Sequence, residues 1–402
     1  MTFSTSDGRL GHRASFLAMA LSFGLLTTGG TLPIPLYRLW GDEIGFGVDT
    51  TTWLFAVYVV GTLLALVLAG GLSDQIGRRP LVVSALLITV VSAVLFLTGG
   101  SVAVLLAARF TSGIGVGLIT SAVTAGLSEV YQGPSPATPQ VVSTIVNMGG
   151  LGLGPLMAGL FAEYLARPTE LVFLVFLVLT LAATAVALLL PETNADADPR
   201  HWRPRLTIGV PRSALGVYVR AAFAVVPTFT LLGLFSSLTP RFIADSLHIH
   251  NPAIAGLATF VLFEIGVVAQ LLGRRRRPVT LVRAGLPVLI ASLVLVLVGF
   301  ESESVPLFAA GTVLGGFGAG FTFSGGLRCV GTAVTHEHHA KAVATYFVAA
   351  QAALAVPVLT IGALTHVTSL QSATRLVVLV AVVLAAIALA VNLRPLDKEA
   401  RS

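Results

Sequence analysis

The chain has 402 residues, of which 55% are hydrophobic and only 10% are charged. An ordinary soluble domain carries about 25% charged residues, so this composition excludes a soluble globular protein. The formal net charge is +6 at pH 7; in so apolar a chain we attribute it to loops at one membrane face, and we expect no nucleic-acid partner.

Twelve stretches without Asp, Glu, Lys or Arg are long enough to cross the apolar layer of a bilayer as helices, which takes about 20 residues. They lie at 14–37, 50–73, 80–108, 110–128, 130–162, 171–191, 221–240, 246–263, 284–300, 304–327, 342–374 and 376–393. A membrane β-barrel needs shorter segments of alternating polarity, which these stretches lack. The sequence therefore predicts an all-α integral membrane protein with twelve transmembrane helices, the first of them too long for a signal peptide.

The basic residues indicate the orientation of these spans. Nineteen of the 24 Lys and Arg residues fall on the side of the N-terminus and four on the opposite side, with Arg109 left inside a span. Because positively charged loops stay in the cytoplasm, we predict that both termini are cytoplasmic.

A polar interruption at 191–213 divides the spans into six and six. We predict a six-helix bundle at 14–190, a cytoplasmic linker at 191–213 and a second six-helix bundle at 214–393. Features of the first half recur about 200 residues later, as expected of parallel repeats. The recurring features are Gly113, Gly115 and Gly117 with Gly316, Gly318 and Gly320; Arg78-Arg79-Pro80 with Arg276-Arg277-Pro278; and Pro155 with Pro357.

The loop between spans 2 and 3 carries the sharpest motif, Gly70-Gly71-Leu72-Ser73-Asp74-Gln75-Ile76-Gly77-Arg78-Arg79-Pro80. It resembles the signature loop of the major facilitator superfamily, except that Gln75 replaces a frequent basic residue. The resemblance implies a conformational latch in which the acid and the arginines hold one state of the transporter. The residues assigned to it are Gly70, Asp74, Gly77, Arg78, Arg79 and Glu129.

Span 5 contains small residues at four-residue spacing, a pattern that lets two helix backbones approach closely. Gly150, Gly154, Pro155 and Gly159 resemble the Gly-Pro-x-x-Gly motif of antiporter branches of the superfamily. The resemblance implies that the protein exports its substrate.

Arg109 and Glu264 stand within spans and Arg328 lies near the inner end of span 10; a charge at depth is costly and marks a functional candidate. Arg109 precedes a glycine-rich helix face in span 4 and resembles a second facilitator motif. Glu264 lies in an apolar helix, where a carboxyl group holds its proton more tightly, so it is a candidate for proton coupling or for recognising a cationic substrate. Arg328 is a candidate cavity gate or anion-attracting group, or extends to the membrane surface.

Polar and aromatic side chains within the spans are candidates for the substrate cavity. They are Tyr37, Tyr58, Asn147, Phe235, Gln270, Tyr346 and Gln351. The segments Leu32 to Arg38 and Phe55 to Tyr58 also resemble bacterial twelve-helix drug-efflux transporters.

The resemblance to this fold implies alternating access, in which the two halves expose a central cavity to one side and then to the other. No ATP-binding loop is present, so we expect proton-coupled export of small amphipathic compounds or drugs by a monomer in a bacterial cytoplasmic membrane. We expect no cofactor and no metal, because His336, Glu337, His338 and His339 lack the spacing of helical zinc ligands. An uptake carrier for a sugar or metabolite remains an alternative, and a polytopic membrane enzyme is a further one.

Overall fold

A computed structural model describes residues 10–69, 72–135, 138–194, 209–245 and 248–394. In these ranges the regular secondary structure is helical and no strand occurs. The helices are α1 His12–Thr31, α2 Tyr37–Ile44, α3 Val48–Ala69, α4 Leu72–Ile76, α5 Arg78–Leu97, α6 Val102–Val130, α7 Thr138–Tyr164, α8 Pro168–Ala187, α9 Leu215–Asp245, α10 Pro252–Gly273, α11 Pro278–Glu301, α12 Val305–Thr332, α13 His336–Leu364 and α14 Leu370–Leu393.

Within the described ranges, 12 helical segments are long and apolar enough to cross a membrane. The prediction of an all-α protein with twelve transmembrane helices is therefore confirmed. The chain favours helices because a span can satisfy its backbone groups only internally once water is absent. Their starts carry ordinary signals: Asn251 accepts hydrogen bonds from the backbone N–H groups of Ala253 (2.9 Å) and Ile254 (3.2 Å), and Pro168 and Pro278 occupy first helical positions.

The first span is broken, which differs from the single helix predicted at 14–37. Helix α1 ends at Thr31, a short 3-10 turn covers Ile34–Leu36, and α2 continues the segment to Ile44. Pro33 and Pro35 are the cause, because neither has a backbone N–H to bond the carbonyl one turn earlier. The end of α1 therefore presents carbonyl groups that need other partners.

The chain forms two compact units, Met1–Thr207 and Ile208–Ser402. In the first unit, α6 packs on α1, α3 and α5, and α1 also packs on α7. In the second, α12 packs on α10 and α11, and α9 packs on α13. Most of the predicted linker at 191–213 lies outside the described residues, so its place remains a prediction.

Glycine contacts within the two units follow the same plan. A Cβ on Gly117 would lie 2.5 Å from the Ala65 Cβ of α3, and a Cβ on Gly316 would lie 2.6 Å from the Leu262 carbonyl oxygen of α10. The glycines that recur in α6 and α12 thus bring each helix against its neighbour two spans earlier in the chain.

An equivalent hydrogen bond joins α5 to α6 in the first unit and α11 to α12 in the second. Ser92 donates to the Ala108 carbonyl at 2.8 Å, and Ser292 donates to the Gly311 carbonyl at 2.7 Å. Both serine side chains are buried. The sequence echoes therefore correspond to equivalent packing inside each unit.

We predict that Gly316→Ala destabilises the protein by about 1–3 kcal/mol, because the added methyl group would overpack the α10–α12 contact. The matched control is Gly216→Ala in α9, where a Cβ meets nothing within 4 Å. Thermal unfolding of the purified variants in detergent measures the difference. Equal melting temperatures for the two variants would contradict the tight packing at Gly316.

Candidate functional site

The loop that precedes α5 forms a compact ionic cluster in the first unit. Arg78 donates from Nε to both Glu129 oxygens at 3.2 Å and from Nη2 to Oε1 at 2.9 Å. Its Nη1 donates to the Ser73 hydroxyl at 2.5 Å. The Arg78 side chain is only 8% exposed, whereas that of Glu129 is 33% exposed. The arginine is thus shielded from solvent, and its paired contact with the carboxylate gives the charge-assisted geometry that strengthens hydrogen bonds.

Glu192, which lies within the predicted linker at 191–213, completes this cluster. Its carboxylate accepts the backbone N–H groups of Arg78 (2.9 Å) and Arg79 (3.1 Å) at the start of α5. A carboxylate there satisfies orphan donors and complements the helix dipole. Gly77 has φ +107°, and a Cβ at that position would lie 2.7 Å from the Glu192 Cδ. Glycine is therefore needed for both the turn and the close approach.

Two further contacts tie the same cluster to its neighbours. Arg79 donates from Nη2 to the Leu188 carbonyl, just after α8, at 2.6 Å. The Thr193 hydroxyl donates to Glu129. The ends of α5, α6 and α8 are thus joined through two arginines and two glutamates.

The structure leaves two of the predicted latch residues untested. Gly70 and the side chain of Asp74 lie outside the described residues. Their part in a latch remains a prediction, as does the functional role of the cluster as a whole.

Arg109 occupies the interior of the first unit and is fully buried. Its Nη1 donates to the Gly30 carbonyl at 2.7 Å and its Nε to the Leu54 carbonyl at 3.2 Å. Gly30 is in the last turn of α1, where carbonyl groups lack helical partners and the helix dipole favours a cation. The broken first span therefore supplies the partner that a buried charge requires.

Two tyrosines enclose the Arg109 guanidinium group. Its Cζ lies 4.2 Å from the centroid of the Tyr58 ring and 6.0 Å from that of Tyr37. Both rings are buried, at 5% and 4% exposure, so they pack around the cation and stabilise it through their π faces. Among the described residues, Arg109 Nη2 and the Tyr37 hydroxyl have no hydrogen-bond partner.

The small residues of α7 face α1. A Cβ on Gly150 would lie 2.5 Å from the Gly24 carbonyl oxygen, and one on Gly154 would lie 2.5 Å from the Thr28 carbonyl oxygen. Pro155 and Gly159 are buried in the same helix. The glycine pattern predicted from the sequence thus forms an interhelical contact, while its link to export remains a prediction.

Glu264 lies near the middle of α10 and is half-buried. No hydrogen bond or ion pair joins it to another described residue. Arg328, on α12, instead donates to the Gly273 carbonyl (3.4 Å) and the Arg276 carbonyl (3.1 Å) at the end of α10. Arg328 therefore caps a helix C-terminus, and its role as a gate remains a prediction.

The other predicted cavity residues fall into two groups. Phe235 stacks on Phe308 with ring centroids 5.6 Å apart, and Tyr346 donates to the Phe323 carbonyl at 3.3 Å; both are buried within the second unit. Gln270 is buried, whereas Asn147 and Gln351 are half-buried. Burial favours a packing role for Phe235 and Tyr346, as for Tyr37 and Tyr58.

A sequence model of the Major Facilitator Superfamily matches residues 15–303. An uncharacterized MFS-type transporter of Mycobacterium tuberculosis is 31% identical over 179 residues, which are 43% of this chain and 26% of that relative. The quinolone resistance protein NorA of Staphylococcus aureus is 26% identical over 140 residues, which are 35% of this chain and 36% of NorA. The matched segments thus span about a quarter to a third of these relatives.

Two solved structures share the fold over almost the whole chain. The human organic anion transporter MFSD10 superimposes with a TM-score of 0.67 at 19% identity, over 94% of this chain and 100% of that protein. A bacterial homologue of the human lysosomal transporter Spinster superimposes with a TM-score of 0.65 at 15% identity, over 94% of this chain and 95% of that protein.

We predict that Arg109→Lys destabilises the protein by about 1–3 kcal/mol, because a lysine cannot reproduce the planar fork that reaches the Gly30 and Leu54 carbonyls. The control is Arg38→Lys, which changes an exposed arginine and should leave stability within about 0.5 kcal/mol. Unfolding in detergent, followed by tryptophan fluorescence, provides the comparison. An Arg109→Lys protein as stable as the control would show that the two carbonyl contacts contribute little.

Proposed function

The chain belongs to the Major Facilitator Superfamily, and from this premise we propose that it exports small amphipathic compounds in exchange for protons by alternating access. Family membership makes it a multi-pass membrane transporter and excludes the alternative of a polytopic membrane enzyme. Direction, substrate class and coupling ion are the parts that we propose.

The coupling proposal rests on the surroundings of Glu264. A half-buried carboxyl group in the middle of a membrane span, with no partner among the described residues, is costly to keep charged. It can lower that cost either by binding a proton or by pairing with a cationic substrate. Competition between these two partners for one carboxylate would exchange substrate for proton.

Arg109 has a different place in the proposal. Its guanidinium already binds two carbonyl groups and two aromatic faces. These contacts offset the cost of burying its charge. We assign it the role of holding α1, α3 and α6 together, with its Nη2 amino group left available for a polar partner.

Export, as opposed to uptake, is supported by two observations. The glycine face and Pro155 of α7 resemble an antiporter motif and pack closely on α1. One relative is a quinolone resistance protein, although the similarity covers 36% of its length.

The Arg78–Glu129–Glu192 cluster is the proposed conformational latch. Its contacts join the ends of three helices in the first unit, and breaking them would free the start of α5. The predominance of basic residues on one side supports cytoplasmic termini, and the bacterial relatives support a bacterial cytoplasmic membrane. We further propose that the monomer is the transporting unit.

The coupling proposal is tested in proteoliposomes with an imposed pH gradient and the cationic dye ethidium as probe. We expect gradient-driven dye movement by the natural chain and its loss in Glu264→Gln, which cannot ionise. Glu163→Gln changes an exposed acid at the end of α7 and serves as the control, with unchanged transport.

Two results would contradict the proposal. Undiminished gradient-driven transport by Glu264→Gln would remove this carboxyl group from coupling. Accumulation instead of exclusion of the probe by intact cells would favour the uptake carrier over the exporter.

A further inference from the structure

Pro155 leaves a gap in the hydrogen-bond ladder of α7. Proline has no backbone N–H, so the carbonyl of Leu151, one turn earlier, loses the donor that an ordinary residue would supply. Leu151 is half-buried within a predicted membrane span, where no bulk water replaces the missing donor. The carbonyl therefore needs a partner from another element.

Thr31, the last residue of α1, supplies that partner. Its hydroxyl donates to the Leu151 carbonyl at 3.0 Å, across the contact between α1 and α7. The side chain is 5% exposed. The carbonyl of Thr28 on the same helix lies 3.2 Å from the hydroxyl oxygen, so the hydroxyl hydrogen has two acceptors and the closer one is on α7.

The close approach depends on Gly154, one residue before the proline. A Cβ there would lie 2.5 Å from the Thr28 carbonyl oxygen and 2.8 Å from the Leu32 nitrogen. Any larger residue would push α1 and α7 apart and take the hydroxyl out of reach of Leu151. Gly154 thus allows Thr31 to approach α7, and Pro155 leaves the Leu151 carbonyl available to accept its hydrogen bond.

The equivalent position of the second unit has a different residue. Pro357 in α13 lies 202 residues after Pro155, and Gly233 in α9 lies 202 residues after Thr31. Gly233 is therefore the counterpart of Thr31. Gly233 has no hydroxyl, and a Cβ there would lie 2.5 Å from the Leu354 carbonyl oxygen. Of these two equivalent helix pairs, only the one in the first unit combines the repeated proline with a hydroxyl donor at this position.

We propose that Thr31 is a positioning residue for transport, whose hydroxyl replaces the amide that Pro155 lacks and holds this turn of α7 against the end of α1. The adjacent residue, Gly30, binds Arg109 through its carbonyl. Thr31 therefore connects the glycine face of α7 to the buried arginine. The transport part of this inference rests on the proposed function, whereas the hydrogen bond can be tested without a substrate.

A double-mutant cycle tests the hydrogen bond through unfolding midpoints of purified protein in detergent. We expect Thr31→Val to lower the midpoint by about 2–4 °C, because it leaves the Leu151 carbonyl without a donor. In a Pro155→Ala background the same substitution should have much less effect, since the alanine amide restores the helical bond. Thr31→Ser, which keeps the hydroxyl, should remain close to the natural chain.

Thr27→Val is the matched control. The Thr27 hydroxyl lies 3.4 Å from the Val146 carbonyl of α7 but 3.0 Å from two carbonyls of its own helix, and Val146 is followed one turn later by an amide-bearing glycine. Its effect should be the same in the natural chain and in the Pro155→Ala background. An equal loss from Thr31→Val in both backgrounds would overturn the inference.

If Thr31→Val gives no monodisperse protein, the yield of folded protein is measured instead of the unfolding midpoint. Recovery of folded protein when Thr31→Val is combined with Pro155→Ala would support the inference, and failure to recover it would contradict the inference.

Ethidium transport then tests the positioning role. Because Thr31 is buried against α7, Thr31→Val should lower the maximal rate with an unchanged KM, and Thr31→Ser should restore the rate. A normal maximal rate in Thr31→Val would overturn the positioning role. A natural chain that moves no probe contradicts the proposed function, while the thermal cycle still decides the hydrogen bond.

Discussion

Inside a bilayer, backbone polar groups must find their partners within the protein, and a charge without a partner is costly. Proline residues and helix ends create carbonyl and amide groups without helical partners. The chain pairs these groups with its embedded polar side chains. Arg109 binds the carbonyl end of α1, Arg328 that of α10, and Glu192 the amide end of α5. These charges are thereby committed to holding helix ends.

This pairing separates structural charges from the candidate for coupling. Arg78 binds Glu129 through its side chain and Glu192 through its backbone N–H group, at the start of α5. Glu264 differs, because it lies in the middle of a helix and has no partner among the residues described. In the proposed mechanism, the paired groups set which helices move together, and the unpaired carboxyl group exchanges proton for substrate.

Much of the fold could be predicted from the sequence, because the absence of charge over about 20 residues is a direct measure of membrane-spanning capacity. Contacts between helices were harder to predict. Glu192 follows a span without any spacing that marks it as a partner of Arg78, and the hydroxyl of Thr31 carries no signal until α7 is placed beside it. The sequence gives the depth of Tyr37 and Tyr58 in the membrane but not the direction of their rings, so their packing around Arg109 could not be predicted from it.

Proton-coupled export requires that Glu264 bind either a proton or the substrate. The most direct measurement adds ethidium to the purified protein in weakly buffered detergent solution and follows proton release with a pH indicator. We expect proton release by the natural chain on dye binding and none by Glu264→Gln. Dye binding without proton release, or equal release by the two proteins, would contradict it.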